Sequence, residues 1–569
     1  MLEAALPHAS VASTGTSKGA SVEEGSAQLS VGLRPADYVT IVLYFLLTFG
    51  ISIWFGRKQK NVDDYFVGGR RMPWFAVGLS ILATLFSTLS YLAVPGEMIN
   101  KGIGYFMGYL AEPFTAFVVL GLWIPFFMRL RLTSAYEYLE LRFGRIARTL
   151  GASLFIALRL GWMSMVTFAA SKALTDMVGT DSPRLPGDDI YWTVGAIGVI
   201  SAVYTALGGI QAMIWVDVIQ CMLLLSGVLL AIGGVAWMDG TGPVDWWHTA
   251  SQYGPTHSSV EFFSFDVTTR TTVVFVMLGN FFWTISTHGS DQVVLQRYFS
   301  TSSLRSARRS YLINLCVNFS MSVLLGMAGL ALLAFYLKHP GALPEGITTP
   351  TARPDRLFPH FLGSQLPAGC VGLIISAFLC DAIQTLESGI NAISAVVTND
   401  FFNPSKAHAS DDVGPVSELS ESSKLKIARG VAIVVGAIVL STALAVAYWT
   451  KSRPDLTLLD MMPKFFNLFV GPLAALFVVG MFIPRARTRT AIPAALLGLT
   501  LSILWSWWRE ITGAEKAPSP FLAIFVPWTT TVASAWLLSL FFGSDEDDPK
   551  RNYTWRSVMK RIPHPTGEE

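Results

Sequence analysis

The sequence predicts an all-α membrane protein that crosses the lipid bilayer many times. Two features of its composition favour this class: 52% of the 569 residues are hydrophobic and only 14% are charged, and the mean hydropathy is +0.48. A soluble chain has roughly a quarter of its residues charged. The third feature is the arrangement of the apolar residues along the chain, which form long runs such as 38–55 and 425–449. Runs of about 20 apolar residues match the hydrocarbon thickness of a bilayer.

Thirteen apolar runs are long enough to be transmembrane spans. We number them 1 to 13 in chain order, at residues 36–57, 74–99, 105–130, 147–177, 190–209, 211–237, 272–297, 307–337, 366–398, 424–448, 460–483, 489–507 and 519–543. Lysine and arginine are concentrated in alternate loops, for example at 57–71 and 129–148, whereas the intervening loop 239–269 has neither. The positive-inside rule therefore predicts a cell-membrane protein with its N-terminus outside and its C-terminus in the cytoplasm. An odd number of spans requires the same arrangement.

These spans form one transmembrane domain, residues 36–545, with a tail at each end. The first tail, residues 1–35, is rich in Ser, Ala and Gly and lacks a continuous apolar core, so we expect a flexible extracytoplasmic segment. The second, residues 546–569, is predicted to be a cytoplasmic tail. The formal net charge is +2 and the basic residues are spread over the loops, so the charge does not indicate a nucleic-acid partner. The apolar spans make the lipid bilayer an expected partner, and we expect no nucleic acid.

The four cysteines all fall inside apolar spans and have no C-x-x-C spacing. They are Cys221, Cys316, Cys370 and Cys380. Cysteines in such positions are typical small packing residues. We therefore expect neither a disulfide framework nor a cysteine metal site.

Two spans contain polar or helix-breaking residues at membrane depth. Span 2 carries Thr84, Ser87, Thr88 and Ser90, followed by Pro95-Gly96, and span 7 turns polar at 284–292. Non-helical backbone at this depth is tolerated where it lines a cavity or is buried in protein, and the freed helix ends then bind ions and polar solutes. The alternative is a proline kink with serines bonded back to their own helix. Because each interrupted span opens a block of five, we predict inverted repeats at about 74–237 and 272–483, with a binding-site break at 284–290.

Four carboxylates lie within or at the edge of hydrophobic spans. They are Asp217, Asp291, Asp381 and Glu387. Ionisable groups in a membrane are costly and usually mark the path of an ion or a substrate. The alternative for each is a structural ion pair with one of the basic residues that we place inside spans, namely Arg159, Lys172 and Lys464.

Six short motifs are spread along the chain. In chain order they read DYFVGGRRMPWFAVGLSILATLFS, TSAYEYLELRFG, YTALGGIQAMIWVDVIQ, GSDQVVLQRYFST, GINAISAVVTNDF and FFNLFVGPLAALFVVGMF. Together they resemble the sodium/solute symporter family, which includes the sodium–glucose, sodium–iodide, sodium–monocarboxylate and sodium–sialic acid cotransporters. The likeness covers about residues 36–485, and the motifs are specific as a set. It implies a LeuT-like core of five-plus-five inverted repeats, with one extra N-terminal and two extra C-terminal helices.

The resemblance implies a main sodium site between the first and eighth core helices. The backbone carbonyls of Ala83 and Phe86 match one side of that site, and Asp381, Gln384 and Thr385 match the other. The family usually has a small residue at 381 and a serine at 384, so this chain departs from the pattern. Positions 381, 384, 385 and 388 share one helical face, and their oxygens suit a hard cation. The departure leaves both sodium and the proton open as the coupling ion.

A second cation site, present in some family members, is implied by Asp217 together with Glu387 and Ser388. In those members an aspartate of the fifth core helix faces serines of the eighth, and Asp217 matches the aspartate. Glu387 and Ser388 match the serine pair. Two carboxylates near one cation bind it more strongly, and a carboxyl group without a cation tends to hold a proton.

The solute pocket of such a fold lies between the broken helices and the tenth core helix. The residues that match it are Ser87, Ser90, Thr284, Thr287, His288 and Asn467. For His288 the alternative is a satisfied packing group, which is the commoner role of a lone histidine in a membrane. Glu112 is a further polar candidate with weaker support.

The leading functional hypothesis is sodium-coupled import of a small polar organic solute: a monocarboxylate, a sugar or a sugar acid. A proton-coupled symporter of the same fold and a non-transporting solute sensor remain alternatives. A channel would need a polar stripe through several spans, and an enzyme would need a motif such as H-E-x-x-H, a nucleophile elbow or a phosphate-binding loop, none of which is found. We therefore predict no catalytic residue. The sequence carries no signal for an oligomeric state.

Overall fold

The computed structural model describes residues 33–57, 68–130, 132, 134–178, 189–205, 210–254, 257, 259–397, 421–453, 456–543 and 548–561. Within these residues all regular secondary structure is helical, apart from one isolated bridge between Met72 and Thr301. Ten helical segments of the described chain are long and apolar enough to cross a membrane by themselves. Each of the thirteen predicted spans coincides with a helical segment, and the shorter or interrupted ones are spans 2, 5 and 7.

The observed bounds of the spans are as follows, with a and b marking the halves of a broken span. Span 1 is Pro35–Gly56, 2a Trp74–Leu85, 2b Thr88–Lys101, 3 residues 102–130, 4 Arg145–Val178, 5 Asp189–Thr205, 6 Ile210–Asp239, 7a Val273–Ser290, 7b Gln292–Phe299, 8 Leu304–Lys338, 9 Cys370–Val396, 10 Glu421–Lys451, 11 Leu458–Phe482, 12 Thr488–Ser506 and 13 Phe525–Phe542. Further helices outside the spans are Glu137–Phe143, Pro243–Tyr253, Pro354–Gln365, Trp508–Thr512 and Trp555–Arg561.

The packing of the spans repeats between the two predicted halves of the core. Span 2a packs against spans 6 and 8, and span 7a packs in the corresponding way against spans 11 and 3. In repeats 2–6 and 7–11, span 4 corresponds to span 9 and span 5 corresponds to span 10. Span 4 contacts span 10, its counterpart span 9 contacts span 5, and spans 4 and 9 pack against each other. Equivalent spans of the two halves thus make equivalent contacts, as expected for two inverted repeats.

Span 2 breaks at the Ser/Thr cluster and not at its proline. The first half ends at Leu85, and Phe86 and Ser87 leave the helical conformation, with φ/ψ of −105°/77° and −85°/175°. Helix 2b then starts at Thr88 and continues through Pro95. The predicted interruption of span 2 therefore exists and lies in the Ser/Thr cluster, and the alternative, in which a proline kink alone accounts for the pattern, is wrong. Helix 2b continues through Pro95 because a membrane helix tolerates a proline where neighbouring helices pack around it.

Span 7 breaks at a single residue. Helix 7a runs through the polar stretch 284–290, and only Asp291 adopts an extended conformation, with φ/ψ of −84°/117°. The side chain of Asp291 accepts a hydrogen bond from the backbone N–H of Val293 at 2.9 Å and so caps helix 7b. The predicted break exists, but it lies at the end of the polar stretch and not inside it.

The predicted tails are described only in part. Residues 1–32 of the N-terminal tail lie outside the described residues. In the C-terminal tail, the helix Trp555–Arg561 packs on the end of span 3, where the indole N–H of Trp555 donates to the carbonyl of Leu122 at 3.2 Å. This part of the second tail is therefore ordered against the transmembrane domain.

The cysteines are free thiols with different environments. Cys221 and Cys380 are buried and Cys370 is half-buried. Cys316 is exposed on the surface of span 8, so the expectation that it packs in the interior is wrong. A helix face that contacts lipid is as apolar as one that contacts protein. The sequence therefore does not show whether a cysteine in an apolar span is buried or exposed on the surface of the span.

Spans 4 and 11 touch backbone to backbone at a glycine. A Cβ atom on Gly161 would lie 2.1 Å from the carbonyl oxygen of Phe465, which belongs to the π-helical turn Pro463–Asn467 of span 11. In contrast, a Cβ atom on Gly195 of span 5 would meet no atom within 4 Å. Gly161 therefore sets the distance between span 4 and the turn that carries Asn467.

We expect Gly161→Ala to lower the melting temperature of the purified protein by several degrees. Overpacking of this kind typically costs about 1–3 kcal/mol. The control Gly195→Ala should leave the melting temperature unchanged or slightly raised, because alanine is the better helix former by up to about 1 kcal/mol. Thermal unfolding in detergent measures both variants. Equal melting temperatures for the two would contradict this packing.

Candidate functional site

Two neighbouring cavities lie between the broken spans. One has a volume of about 130 Å³ and the other about 90 Å³. Both are lined by Leu85, Ser90, Tyr105, Tyr109, Asn280 and Trp283. Because they share these residues, a solute that fits one cavity contacts the wall of the other. We call them the outer cavity (130 Å³) and the inner cavity (90 Å³).

The structure brings most of the predicted solute residues to these cavities. Ser90, Thr284, Thr287 and His288 line the inner cavity, and Ser90 and Asn467 line the outer one. Ser87 lines neither of them. Its hydroxyl is buried at the break of span 2, without a hydrogen-bond partner among the described residues.

His288 has the packing role that the sequence left open as an alternative. Its Nδ1 atom lies 2.6 Å from the hydroxyl of Tyr298 in span 7b, and its ring meets that of Tyr311 edge-on at 5.0 Å. The side chain also lines the inner cavity. His288 therefore connects the two halves of span 7 while it forms part of the cavity wall.

Sequence reasoning missed Asn280 as a contact and gave Glu112 little weight. The amide of Asn280 donates to the carbonyl of Gly108 at 3.0 Å and to Oε1 of Glu112 at 3.2 Å. Both side chains line the inner cavity. A signal was present, since positions 280, 284 and 287 follow helical spacing on one face of span 7a.

Aromatic rings form one side of the outer cavity. Trp162 of span 4 stacks on Trp283 of span 7a, with ring centres 5.7 Å apart and planes inclined by 13°. Phe466 of span 11 packs edge-on against Trp162 at 4.8 Å. The stack links three spans from both repeats, so a movement of one of them changes the cavity wall.

A third, much smaller cavity lies beside the break of span 2, and we call it the ion cavity. Its volume is about 10 Å³, which is room for one water molecule or one small ion. Its lining residues come from spans 2a, 4, 6 and 9: Ala83, Thr84, Arg159, Asp217, Gln384, Thr385 and Ser388. The side-chain amide of Gln384, oxygen and nitrogen alike, has no partner in the described part of the chain.

Asp381 does not line the ion cavity but caps helix 2b. The backbone N–H and the hydroxyl of Thr88 both donate to its Oδ2 atom. Gln220 of span 6 donates to Oδ1 at 2.7 Å. Lys464 and Arg159 are occupied elsewhere, by Glu510 and by Asp291, so the alternative of a salt bridge from Asp381 to either of them is wrong.

The other two residues predicted for the main sodium site have different positions. Ala83 lines the ion cavity, whereas Phe86 lines the inner cavity. Residues 83–86 run from the last turn of helix 2a into the break. This segment therefore forms a wall of the ion cavity with residues 83–84 and a wall of the inner cavity with residues 85–86.

Asp217 pairs with Arg297, which the sequence analysis did not count among the basic residues inside the spans. Arg297, at the end of span 7b, is 2% exposed. Its Nη2 atom lies 3.1 Å from Oδ2 of Asp217, and its Nε–H donates to Ser80 at 2.7 Å. Ser80 in turn donates to the same carboxylate. The sequence analysis missed Arg297 because the break lets span 7b turn its last residues towards the centre of the bundle.

Asp291 forms a structural ion pair, which the sequence analysis gave for each membrane carboxylate as the alternative to a role in an ion or substrate path. The guanidinium of Arg159 bonds to its Oδ2 atom, and both side chains are buried. The third basic residue placed inside a span, Lys172, lies 3.5 Å from Asp176. Glu387 differs from the other three membrane carboxylates. It is 2% exposed, and no described residue donates a hydrogen bond to its carboxylate or forms an ion pair with it.

A sequence comparison places the chain in a known family. The model of the sodium:solute symporter family matches residues 65–498, which is most of the transmembrane domain. Among curated relatives, the sodium/sialic acid symporter NanT of Aliivibrio fischeri is 30% identical over 83% of this chain and 87% of its own length. The human sodium/iodide cotransporter is 28% identical over 86% of this chain and 72% of its own length.

Solved structures show the same fold. An outward-open, substrate-bound sodium-coupled sialic acid symporter aligns with a TM-score of 0.72 at 25% identity, over 90% of this chain and 99% of that one. The nucleobase-cation symporter Mhp1 aligns with a TM-score of 0.51 at 12% identity, which supports the LeuT-like fold alone. The fold, the ion-sized cavity beside the break and these matches agree: the chain belongs to the sodium:solute symporter family and is a multi-pass, sodium-coupled solute symporter.

Proposed function

We propose that this symporter imports a small polar organic solute into the cell, with its N-terminus outside and its C-terminus in the cytoplasm. The solute occupies the outer and inner cavities, and the coupling ion occupies the ion cavity. The observation that carries the proposal is the shared segment at the end of helix 2a, which contributes residues 83–84 to the ion cavity and residues 85–86 to the inner cavity. The chemistry is transport alone, and no residue is assigned a catalytic role.

The ion contacts that we propose are all oxygens. The backbone carbonyl of Ala83, the amide oxygen of Gln384, the hydroxyls of Thr385 and Ser388, and the carboxylate of Asp217 belong to residues that line the ion cavity. Oxygen ligands suit a hard cation such as sodium. The unpartnered amide of Gln384 supports this assignment, because a buried polar group without a partner costs free energy that a bound ion offsets.

Coupling follows from where the ion and the solute meet. An ion that contacts Ala83 holds the last turn of helix 2a in the conformation in which Leu85 and Phe86 line the solute cavities. A ligand shifts a conformational equilibrium by its differential affinity for the two states. Sodium therefore favours the state with a complete solute site, and by linkage the solute favours the sodium-bound state.

One observation supports the proton as a candidate for a second coupling ion. Glu387 is buried, and no residue that the structure describes neutralises it. A buried carboxylate without a counter-charge binds a cation or takes up a proton. The second cation site implied by Asp217, Glu387 and Ser388 therefore holds either ion in the proposal, and the transport assay below separates the two.

Uptake into proteoliposomes tests the proposed function. An inward sodium gradient is expected to drive accumulation of at least one solute from a panel of sugars, amino sugars, sugar acids and monocarboxylates. A proton gradient without sodium should not drive accumulation. A proton gradient added to the sodium gradient tests the second ion: accumulation that increases identifies a coupled proton. Uptake that follows the proton gradient and ignores sodium would contradict sodium as the main coupling ion.

Ser388→Ala is expected to raise the sodium concentration for half-maximal thermal stabilisation about tenfold. Such a change corresponds to about 1.4 kcal/mol for one lost ligand. The control is Ser376→Ala on the same span, where a buried hydroxyl donates to its own helix at the carbonyl of Gly372, 2.7 Å away. Sodium titrations by thermal shift compare the three proteins. A midpoint for Ser388→Ala equal to that of Ser376→Ala would remove Ser388 from the site.

Asp381→Asn is expected to lower the melting temperature while the sodium midpoint moves less than threefold. The reason is that Asp381 caps helix 2b through Thr88, and the loss of a helix cap costs about 0.5–2 kcal/mol. The same titration measures both quantities. A tenfold rise in the midpoint at an unchanged melting temperature would instead identify Asp381 as an ion ligand.

A further inference from the structure

One arginine ties three spans together at the end of the outer cavity. Arg270 lies just before helix 7a, and its guanidinium bonds to both oxygens of the Glu97 carboxylate in helix 2b. The same guanidinium lies 3.1 Å from Oδ1 of Asp460, in the first turn of span 11. It also lies over the ring of Phe521, 5.8 Å from the ring centre, and Phe521 lines the outer cavity. Arg270 therefore joins helix 2b, helix 7a and span 11 at the wall of this cavity.

A larger cavity of about 720 Å³, which we call the vestibule, lies on the other side of this bridge. Arg270 and Asp460 line the vestibule, and the described residues that it shares with the outer cavity are Pro463 and Pro520. A solute that moves from the vestibule to the outer cavity therefore passes the bridge. In the orientation proposed above, the vestibule faces the outside of the cell.

Asp355 makes a second contact between helix 2b and span 11. It belongs to the loop helix Pro354–Gln365, which packs against helix 2b and span 4. Its Oδ2 atom accepts from the backbone N–H of Leu458 at 2.9 Å, one of the first N–H groups of span 11, which have no partner in their own helix. Its Oδ1 atom is buried without a partner among the described residues, and a Cβ atom on Gly96 would collide with it. The carboxylate is thus enclosed between helix 2b and span 11.

The charges around Asp355 are mostly of its own sign. Glu97 acts on it from helix 2b, Asp460 from span 11 and Lys172 from span 4. The pKa of Asp355 is raised to about 6, chiefly because the carboxyl is buried; Glu97 and Asp460 also raise this pKa, and Lys172 lowers it. No basic side chain of the described chain bonds to Asp355. Its negative charge therefore has no bonded counter-charge while the spans are together.

The other ionisable groups around the loop helix are bonded to one another. These pairs are Arg356 with Asp176 at 2.7 Å, Asp176 with Lys172 at 3.5 Å, Tyr336 with His360 at 3.2 Å, and Asp239 with His339 at 2.7 Å and Lys338 at 3.7 Å. Burial lowers the pKa of His360 to about 4. The start of span 9, residues 370–380, contains no acidic or basic side chain. Asp355 stands apart from these pairs because it bridges two spans.

We propose that Asp355 is the proton-binding residue of an extracellular latch: with a proton it holds helix 2b and span 11 together, and without one it lets them separate. The proposal goes beyond the proposed function and relies on it only for the direction that the vestibule faces. An ionised carboxylate enclosed beside Glu97 and Asp460 is unfavourable, and separation of the spans gives it water. A protonated carboxyl removes the repulsion and keeps an acceptor oxygen for Leu458.

Linkage gives the direction of the pH effect. When the spans separate and water reaches the carboxyl, its pKa returns towards the ordinary value of an aspartate, near 4. The closed arrangement has the higher pKa and binds the proton more tightly, so it is stabilised as the pH falls from neutral through 6. For pKa values of about 6 and about 4, the ratio of closed to open molecules is roughly tenfold higher at pH 5 than at pH 7.5.

The distance between two spin labels measures the latch on the full-length protein. One label is attached at Asn100→Cys, near the end of helix 2b, and the other at Ser452→Cys, shortly before span 11, with Cys316→Ser and Cys370→Ser as the background. In potassium chloride without sodium or solute, the ratio of short to long distances should be roughly tenfold higher at pH 5 than at pH 7.5. An equal ratio at both pH values, or a ratio that falls in acid, overturns the proposal.

The variant Asp355→Asn cannot ionise and keeps an acceptor for Leu458, so its ratio should be high at both pH values. Glu345→Gln, at an exposed position of the same loop, is the matched control and should keep the wild-type pH dependence. Persistent pH dependence in Asp355→Asn would assign the proton to another group, such as His339, and overturn the proposal.

If Asp355→Asn does not fold, Lys172→Gln tests the same group. The loss of the positive charge should move the midpoint of the transition to a higher pH, since Lys172 lowers the pKa of Asp355. An unmoved midpoint overturns the proposal. Because the distances are measured without sodium or solute, a negative result leaves the proposed function intact, whereas a failure of sodium-driven uptake counts against the proposed function alone.

Discussion

The structure depends on two carboxylates that satisfy helix ends inside the membrane. Where spans 2 and 7 break, the first N–H groups of helices 2b and 7b have no partner in their own helix, and hydrocarbon offers none. Asp381 bonds to the N-terminus of 2b from span 9, and Asp291 bonds to that of 7b from its own chain segment. Each carboxylate is in turn held by a donor from another span, Gln220 of span 6 for Asp381 and Arg159 of span 4 for Asp291.

These two caps explain why the ion cavity and the solute cavities lie side by side. A helix that stops at Leu85 leaves its last turn at the centre of the bundle, where one side of the turn faces span 9 and the other faces span 7a. The pair of Asp217 and Arg297 then ties span 6 to span 7b across the same region. Spans from both repeats are thus joined by charge beside the ion cavity, which Asp217 lines.

The spans and the existence of both breaks could be predicted from the sequence, because long apolar runs match the thickness of a bilayer and polar interruptions at membrane depth favour a break that lines a cavity. The site was only partly predictable. The i, i+3, i+4 spacing on span 9 correctly grouped Gln384, Thr385 and Ser388, which line one cavity. It also included Asp381, whose carboxylate reaches a different helix. Which helix the carboxylate of Asp381 reaches depends on how the spans pack, and so does the inward position of Arg297. Neither contact leaves a periodic signal in the sequence.

The central claim is that an ion in the small cavity organises the last turn of helix 2a. Hydrogen–deuterium exchange tests it most directly, since it needs no knowledge of the solute. Peptides that cover residues 83–88 and 384–388 should exchange more slowly in sodium chloride than in potassium chloride of the same concentration, while peptides of span 13 should not change. Equal exchange of all these peptides in the two salts would contradict the account.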